Sequence, residues 1–167
     1  RPFGERKARK VEEQLGLRAG SLDSLNDELQ NVIYIPEYNI KLSAGNGCNI
    51  FEEAIIRECP VDKEYIKQKN WQINKLVIFS VTGDSMLPDF QDGCKVIVDT
   101  SVQQFIEGKV YALCKNNEVF LKRVFREIGT ANFVGKSDNS MFPNINFTIK
   151  DEVTIIGRVV CILGKFV

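Results

Sequence analysis

VYALCKNNEVFLKRV, residues 110–124, contains two strand-like runs on either side of two asparagines. Aliphatic and aromatic residues dominate both runs, and the asparagine pair is typical of a turn. In the second run, a period-two repeat puts Phe120, Lys122 and Val124 on the same face of a strand. The stretch therefore predicts two neighbouring β-strands, one of which carries a lysine between apolar residues.

Further strand candidates surround this stretch from residue 75 onward, separated by turns that contain Gly, Asn or Asp. The predicted strands are 75–82, 93–99, 108–115, 118–125, 131–136 and 152–163. Shorter extended pieces are predicted around Pro36, and a short helix over 61–72. The body of the chain is therefore predicted to be mainly β.

The first 25 residues have a different character. Ala8, Val11 and Leu15 follow helical spacing, Gly16 is well placed as a C-terminal cap, and basic residues outnumber acidic ones. A single amphipathic helix cannot bury its own apolar face. We therefore expect this segment to be the end of a helical domain.

Composition excludes several classes of protein. The 167 residues suffice for one well-buried domain with an appendage, and a net charge of zero gives no general argument for nucleic-acid binding. The five cysteines form no CxxC pair, so neither a disulfide framework nor a zinc ribbon is expected, and Cys94, Cys114 and Cys161 are interpreted as small buried hydrophobes. The absence of histidine excludes a Ser-His-Asp triad. No apolar run approaches the ~20 residues of a membrane span, and we expect a cytoplasmic protein without metal or cofactor.

The turn Gly83-Asp84-Ser85-Met86 presents a serine at the end of a predicted strand. In the simplest interpretation, Asp84 or Ser85 only caps a turn of helix. Alternatively, Ser85 is a nucleophile, which would require an adjacent base.

Lys122 could be that base, because its apolar strand face would disfavour the charged form of the amine. The simpler alternative is that its stem lies along the sheet and the ammonium reaches water. Backbone N–H groups of Asp84 and Ser85 could form an oxyanion hole in the tight turn.

GDSMLPDFQDGCKVIVD (83–99) and VYALCKNNEVFLKRV (110–124) together resemble the catalytic domain of LexA and phage CI-type repressors. The resemblance covers roughly residues 30–167. It implies a LexA-like catalytic and dimerisation domain of twisted antiparallel sheets, with Ser85 as nucleophile and Lys122 as general base.

Members of this family cleave their own chain at a small-residue–Gly bond upstream of the serine. The matching bond here is Ala44-Gly45, in the loop SAGNG, which could also be only a flexible linker. The segment FGERKARKVEEQLGL resembles the closing helices of a helix-turn-helix domain. The expected domains are thus 1–25, the end of a helix-turn-helix domain; 26–50, a linker with the cleavage loop; and 51–167, the peptidase and dimerisation domain.

The resemblance implies a homodimeric transcriptional repressor that binds operator DNA through its N-terminal domain. It further implies that a RecA–single-stranded-DNA filament triggers self-cleavage after DNA damage. One alternative is a UmuD-like accessory subunit of a translesion polymerase. Another is a repressor dimerisation domain that a partner protein inactivates without cleavage, and a signal peptidase is disfavoured because no anchor is present.

Overall fold

A computed structural model describes residues 4–22, 31–38, 55–102, 104–115, 118–148 and 153–164. Two helices are α1 (Glu5–Leu15) and α2 (Lys63–Gln68), and a 3-10 turn spans Ile73–Lys75. The strands are β1 (Val32–Tyr38), β2 (Ile55–Asp62), β3 (Leu76–Ser80), β4 (Lys95–Asp99), β5 (Val110–Lys115), β6 (Glu118–Arg126), β7 (Asn132–Lys136), β8 (Ile145–Thr148) and β9 (Val153–Gly164). The prediction of a mainly β protein with a short N-terminal helix is confirmed.

The nine strands form one sheet in the order β2-β1-β3-β4-β9-β5-β6-β7-β8. All neighbours are antiparallel except β1 and β3, which pair in parallel. The last of the described strands, β9, lies at the centre and pairs with both β4 and β5. Four strands therefore lie on either side of it.

Both faces of β3, β4 and β5 are buried. On β3, Val77 and Phe79 join one apolar cluster, whereas Leu76 and Ile78 join another on the opposite face. Because successive side chains point to opposite faces, a strand covered on both sides is apolar throughout, as LVIF is. This double burial positions the chain segments that follow β3 and β6.

Helix α1 ends as its sequence predicts. Gly16 adopts a left-handed conformation (φ +65°), and its N–H donates to the carbonyls of Glu12 and Glu13. The buried Glu12 carboxylate accepts hydrogen bonds from the backbone N–H groups of Gly20 and Leu22 and forms an ion pair with Arg9. These contacts fold the chain back against the end of the helix.

The cysteines follow the expectation only in part. Cys94 is a buried free thiol and Cys161 a partly buried one. Cys114 is buried as expected, but it forms a disulfide bond, although no disulfide framework was expected.

Candidate active site

The turn that carries Ser85 is fixed by its own apolar residues. Met86 and Phe90 are 1% and 5% exposed and pack into the apolar cluster that also contains Val77 and Phe79. Ser85, just before Met86, is half-buried. Gly83 begins the turn at φ +83°, a conformation that favours glycine, and its N–H donates to the Asp92 carboxylate at 2.9 Å. Two buried anchors thus present a serine that is still reachable.

Lys122 is buried on β6, opposite Tyr111 of β5. Its side chain is only 4% exposed, so the alternative in which the ammonium reaches water is wrong. The amine donates to the Ser137 hydroxyl and to the Pro143 carbonyl oxygen, the latter at 3.3 Å. No carboxylate pairs with it among the described residues, and burial lowers the pKa of Lys122 below the ordinary 10.5.

Ser137 and Pro143 lie on the turn between β7 and β8, which also contacts the serine turn. The Asn139 backbone N–H donates to the Ser85 carbonyl at 3.0 Å, and the Asn139 side chain donates to the Asp84 carbonyl at 3.0 Å. The structure thus brings the two predicted site segments to one region, through a third segment. In the described part of the chain, no hydrogen bond joins the Ser85 hydroxyl to the Lys122 amine.

In this geometry, the lone pair of an uncharged Lys122 amine remains available. A neutral lysine has two N–H donors and one lone pair, and the two donors can be satisfied by Ser137 and Pro143. The Ser137 hydroxyl in turn donates to the same Pro143 carbonyl at 3.3 Å. An uncharged Lys122 can then accept a proton from a neighbouring hydroxyl.

A cleft of about 480 Å³ opens beside Ser85. Its lining is mostly apolar and includes Phe79, Met86, Val119, Phe120 and Leu121. The last three belong to β6, and among the described strands β7 pairs with β6 only from Arg123 onward. No described strand other than β5 pairs with the preceding half of β6, which lies along the cleft.

The two strands that flank residues 39–54 in sequence both reach this cleft. Tyr38, the last residue of β1, and Ile56, the second of β2, line it together with Ser85. The predicted cleavage residues Ala44 and Gly45 lie between these strands in sequence, outside the described residues.

The sequence predicted Ser85 and Lys122 as site residues but not their neighbours. Ser137, Asn139 and Pro143 were not predicted to belong to the site. The one available signal was the cluster of polar residues in KSDNS, which occurs equally in turns without a function.

No group of three or more potential metal ligands occurs among the residues that the structure describes. None of the helices described is both long and apolar enough to cross a membrane.

Comparison with known proteins matches residues 21–160 to the family described as Peptidase S24-like. A similar curated protein is the HTH-type transcriptional regulator PrtR of Pseudomonas aeruginosa, 23% identical over 135 residues. The alignment covers 78% of this chain and 53% of that regulator, so the chain spans about half the length of its relative. The resemblance to LexA and phage CI-type proteins is confirmed. The chain belongs to the Peptidase S24-like family.

Proposed function

We propose that this chain is the self-cleaving part of a transcriptional repressor and uses Ser85 and Lys122 as a catalytic dyad. The observation that carries the proposal is the buried Lys122 amine, which pairs with no carboxylate of the described residues and bonds to the same β7–β8 turn that holds the Ser85 carbonyl. Desolvation lowers the pKa of this lysine, which is what a general base requires near neutral pH.

In the proposed reaction, the Ser85 hydroxyl oxygen attacks the carbonyl carbon of Ala44 while its proton moves to the neutral Lys122 amine. The resulting oxyanion accepts hydrogen bonds from the backbone N–H groups of Asp84 and Ser85. Neither N–H donates elsewhere in the described part of the chain. Collapse breaks the Ala44–Gly45 bond, and Lys122 returns the proton to the Gly45 nitrogen.

The Ala44 acyl group is then an ester on Ser85. Water attacks this ester as Lys122 accepts one of its protons. Lys122 then passes this proton to the Ser85 oxygen as the ester bond breaks, and the new acid at Ala44 ionises to a carboxylate. The cleft lined by Tyr38, Ile56 and Ser85 supports an intramolecular substrate, because both strands that flank the cleavage residues reach it. An extended segment along the edge of β6 that no described strand pairs with would lead directly to Lys122.

Repression and its relief follow from the same proposal. A homodimer of this domain would hold two N-terminal DNA-binding domains on an operator. The name of the similar Pseudomonas protein, an HTH-type transcriptional regulator, supports the DNA-binding part of this proposal. Cleavage at Ala44-Gly45 would separate the two parts, so the affinity gained from binding two half-sites would be lost. A RecA–single-stranded-DNA filament is the activator we propose.

Mass spectrometry of the purified chain at neutral and alkaline pH tests the dyad. We expect fragments 1–44 and 45–167, formed faster as the pH rises through the pKa of Lys122, which lies below 10.5. Ser85→Ala and Lys122→Ala should each reduce the rate at least about 10³-fold. Cleavage at another bond would discard Ala44-Gly45 and keep the dyad, and unchanged cleavage in either variant would reject the dyad.

A further inference from the structure

Arg123, the residue after Lys122, connects the three segments that form the site. Its guanidinium donates two hydrogen bonds to Asp138, from Nε at 2.8 Å and from Nη2 at 2.7 Å. Nη2 also contacts Asp89 at 3.1 Å, and Nη1 donates to the Gly108 carbonyl at 2.9 Å. We call Arg123, Asp138 and Asp89 the Arg123 network.

The two carboxylate partners of Arg123 lie in different parts of the site. Asp89 belongs to the turn of Ser85, whereas Asp138 belongs to the β7–β8 turn. In that turn, Ser137 accepts a hydrogen bond from the Lys122 amine, and the N–H of Asn139 donates to the Ser85 carbonyl. The serine turn is therefore attached near Asp84 and Ser85 by Asn139 and at its far end by Arg123. None of these attachments uses the hydroxyl of Ser85 or the amine of Lys122.

We propose that Arg123 is a positioning residue that sets the separation of the Ser85 hydroxyl and the Lys122 amine. This inference rests on the proposed dyad. The side chain of Asp138 is 12% exposed and that of Arg123 28%, so the two-bond pair between them is partly shielded from water. A planar guanidinium with two parallel bonds fixes orientation as well as distance, which a lysine ammonium cannot do.

The pH–rate profile of self-cleavage separates positioning from mere stability. In Arg123→Met we expect the rate at the alkaline plateau to fall about 10- to 100-fold, since small displacements of reacting groups have effects of this size. The pH midpoint should stay where it is in the parent, because Lys122 is buried by other residues. Arg123→Lys should restore only part of the rate, and Arg126→Met, an exposed arginine on the same strand, should change nothing.

A general loosening of the domain would give a different profile. Water would reach Lys122, so the midpoint would move up toward 10.5 and Tm would fall in proportion to the loss of rate. That result, or a plateau in Arg123→Met equal to that of the parent, would overturn the inference.

A second measurement does not depend on cleavage. In Ser85→Cys, a thiol beside the Lys122 amine should have a pKa below the ordinary ~8.5, because the thiolate gains an ammonium partner. This pKa can be read from the pH dependence of alkylation at residue 85, with the modified peptide identified by mass spectrometry. We expect it to return toward ~8.5 in Ser85→Cys/Arg123→Met and to remain low in Ser85→Cys/Arg126→Met.

The two measurements distinguish the two proposals. If the thiol pKa is low and responds to Arg123 while the parent chain does not cleave, the positioning role stands and the peptidase function fails. If Ser85→Ala and Lys122→Ala abolish cleavage while the thiol pKa ignores Arg123, the dyad stands and the positioning role fails.

Discussion

When Lys122 is protonated, its buried ammonium has a hydroxyl and a carbonyl as its hydrogen-bond partners among the described residues. Because burial lowers its pKa, the folded protein binds this proton less tightly than the unfolded chain does. The cost to stability is complete below the folded-state pKa and disappears as the pH rises toward 10.5. The residue that would make catalysis possible therefore destabilises the fold at neutral pH.

Replacing Lys122 by methionine tests this cost. We expect Lys122→Met to increase the free energy of unfolding at pH 7, and this gain to shrink as the pH approaches 10. Denaturant unfolding at both pH values measures the difference. An equal gain at the two pH values would mean that packing, and not charge, is responsible.

Gly135 on β7 lies against the stem of Lys122. A Cβ at this position would be 3.1 Å from Lys122 Cβ and 3.4 Å from Cγ, so the lysine stem must shift to accept it. We expect Gly135→Ala to slow self-cleavage about 10-fold or more, since the amine moves with its stem. Gly4→Ala, where no atom lies within 4 Å, is the control and should cleave at the parental rate.

At the scale of elements, β9 approaches β4 too closely for any side chain at Gly157. A Cβ there would lie 2.4 Å from the Asp99 carbonyl oxygen, which is backbone and cannot rotate away. We expect Gly157→Ala to destabilise the domain by about 3 kcal/mol or more. Thermal unfolding checks this, and a change of under ~0.5 kcal/mol would show that the two strands can separate without loss.

The strands that sequence patterns predicted are those in the interior of the sheet. Runs such as LVIF (β3) and KVIVD (β4) are covered on both faces, so their apolar character is continuous. Neither β8 nor β2 was predicted as a strand, and the helix expected over 61–72 overlaps the last two residues of β2. Both lie at the edges of the sheet, β2 is mostly exposed and contains Pro60, and such strands lack an apolar pattern.

The site shows the same division between local and long-range information. The turn of Ser85 and the strand position of Lys122 are visible within a few residues, and the resemblance to LexA and phage CI-type repressors singled out the two side chains. The bond from Asn139 to Asp84 joins positions 55 residues apart, and no local pattern indicates it. The contacts that attach one site segment to another are therefore found only in the structure.

At the scale of the whole molecule, one buried carboxylate joins the β1–β2 pair to the rest of the sheet. Glu37 on β1 accepts hydrogen bonds from Arg57 of β2 at 2.6 Å, Ser80 of β3 at 3.0 Å and Lys95 of β4. Burial alone would raise the pKa of Glu37, but hydrogen bonds from Arg57, Cys59 and Ser80 outweigh it and hold this pKa below 4.5. Side chains of four neighbouring strands therefore meet at this one negative charge.

Removal of this charge should be costly. We expect Glu37→Gln to lower the free energy of unfolding at pH 7 by about 3–5 kcal/mol, because Lys95 is left buried without a counter-charge. The lowered pKa means that the contribution is present above pH ~4.5 and is lost as the pH falls through the folded-state value. The difference between the variant and the parent should therefore narrow in acid.

The matched control breaks an exposed ion pair. Lys67 and Glu64 are 57% and 51% exposed, and Glu64→Gln should cost under ~1 kcal/mol at any pH. Urea unfolding from pH 7 to pH 3 compares the three proteins. A similar small loss in both variants would mean that the Glu37 contacts do not hold the strands together.

Of the described strands, β9 is synthesised last and lies at the centre of the sheet. The turn of Ser85 follows β3 on one side of it and Lys122 lies on β6 on the other, and among the described strands only β9 pairs with both halves. A nascent chain therefore contains both residues well before it has the strand that joins their two halves. We therefore expect the proposed self-cleavage to begin only after β9 has been synthesised.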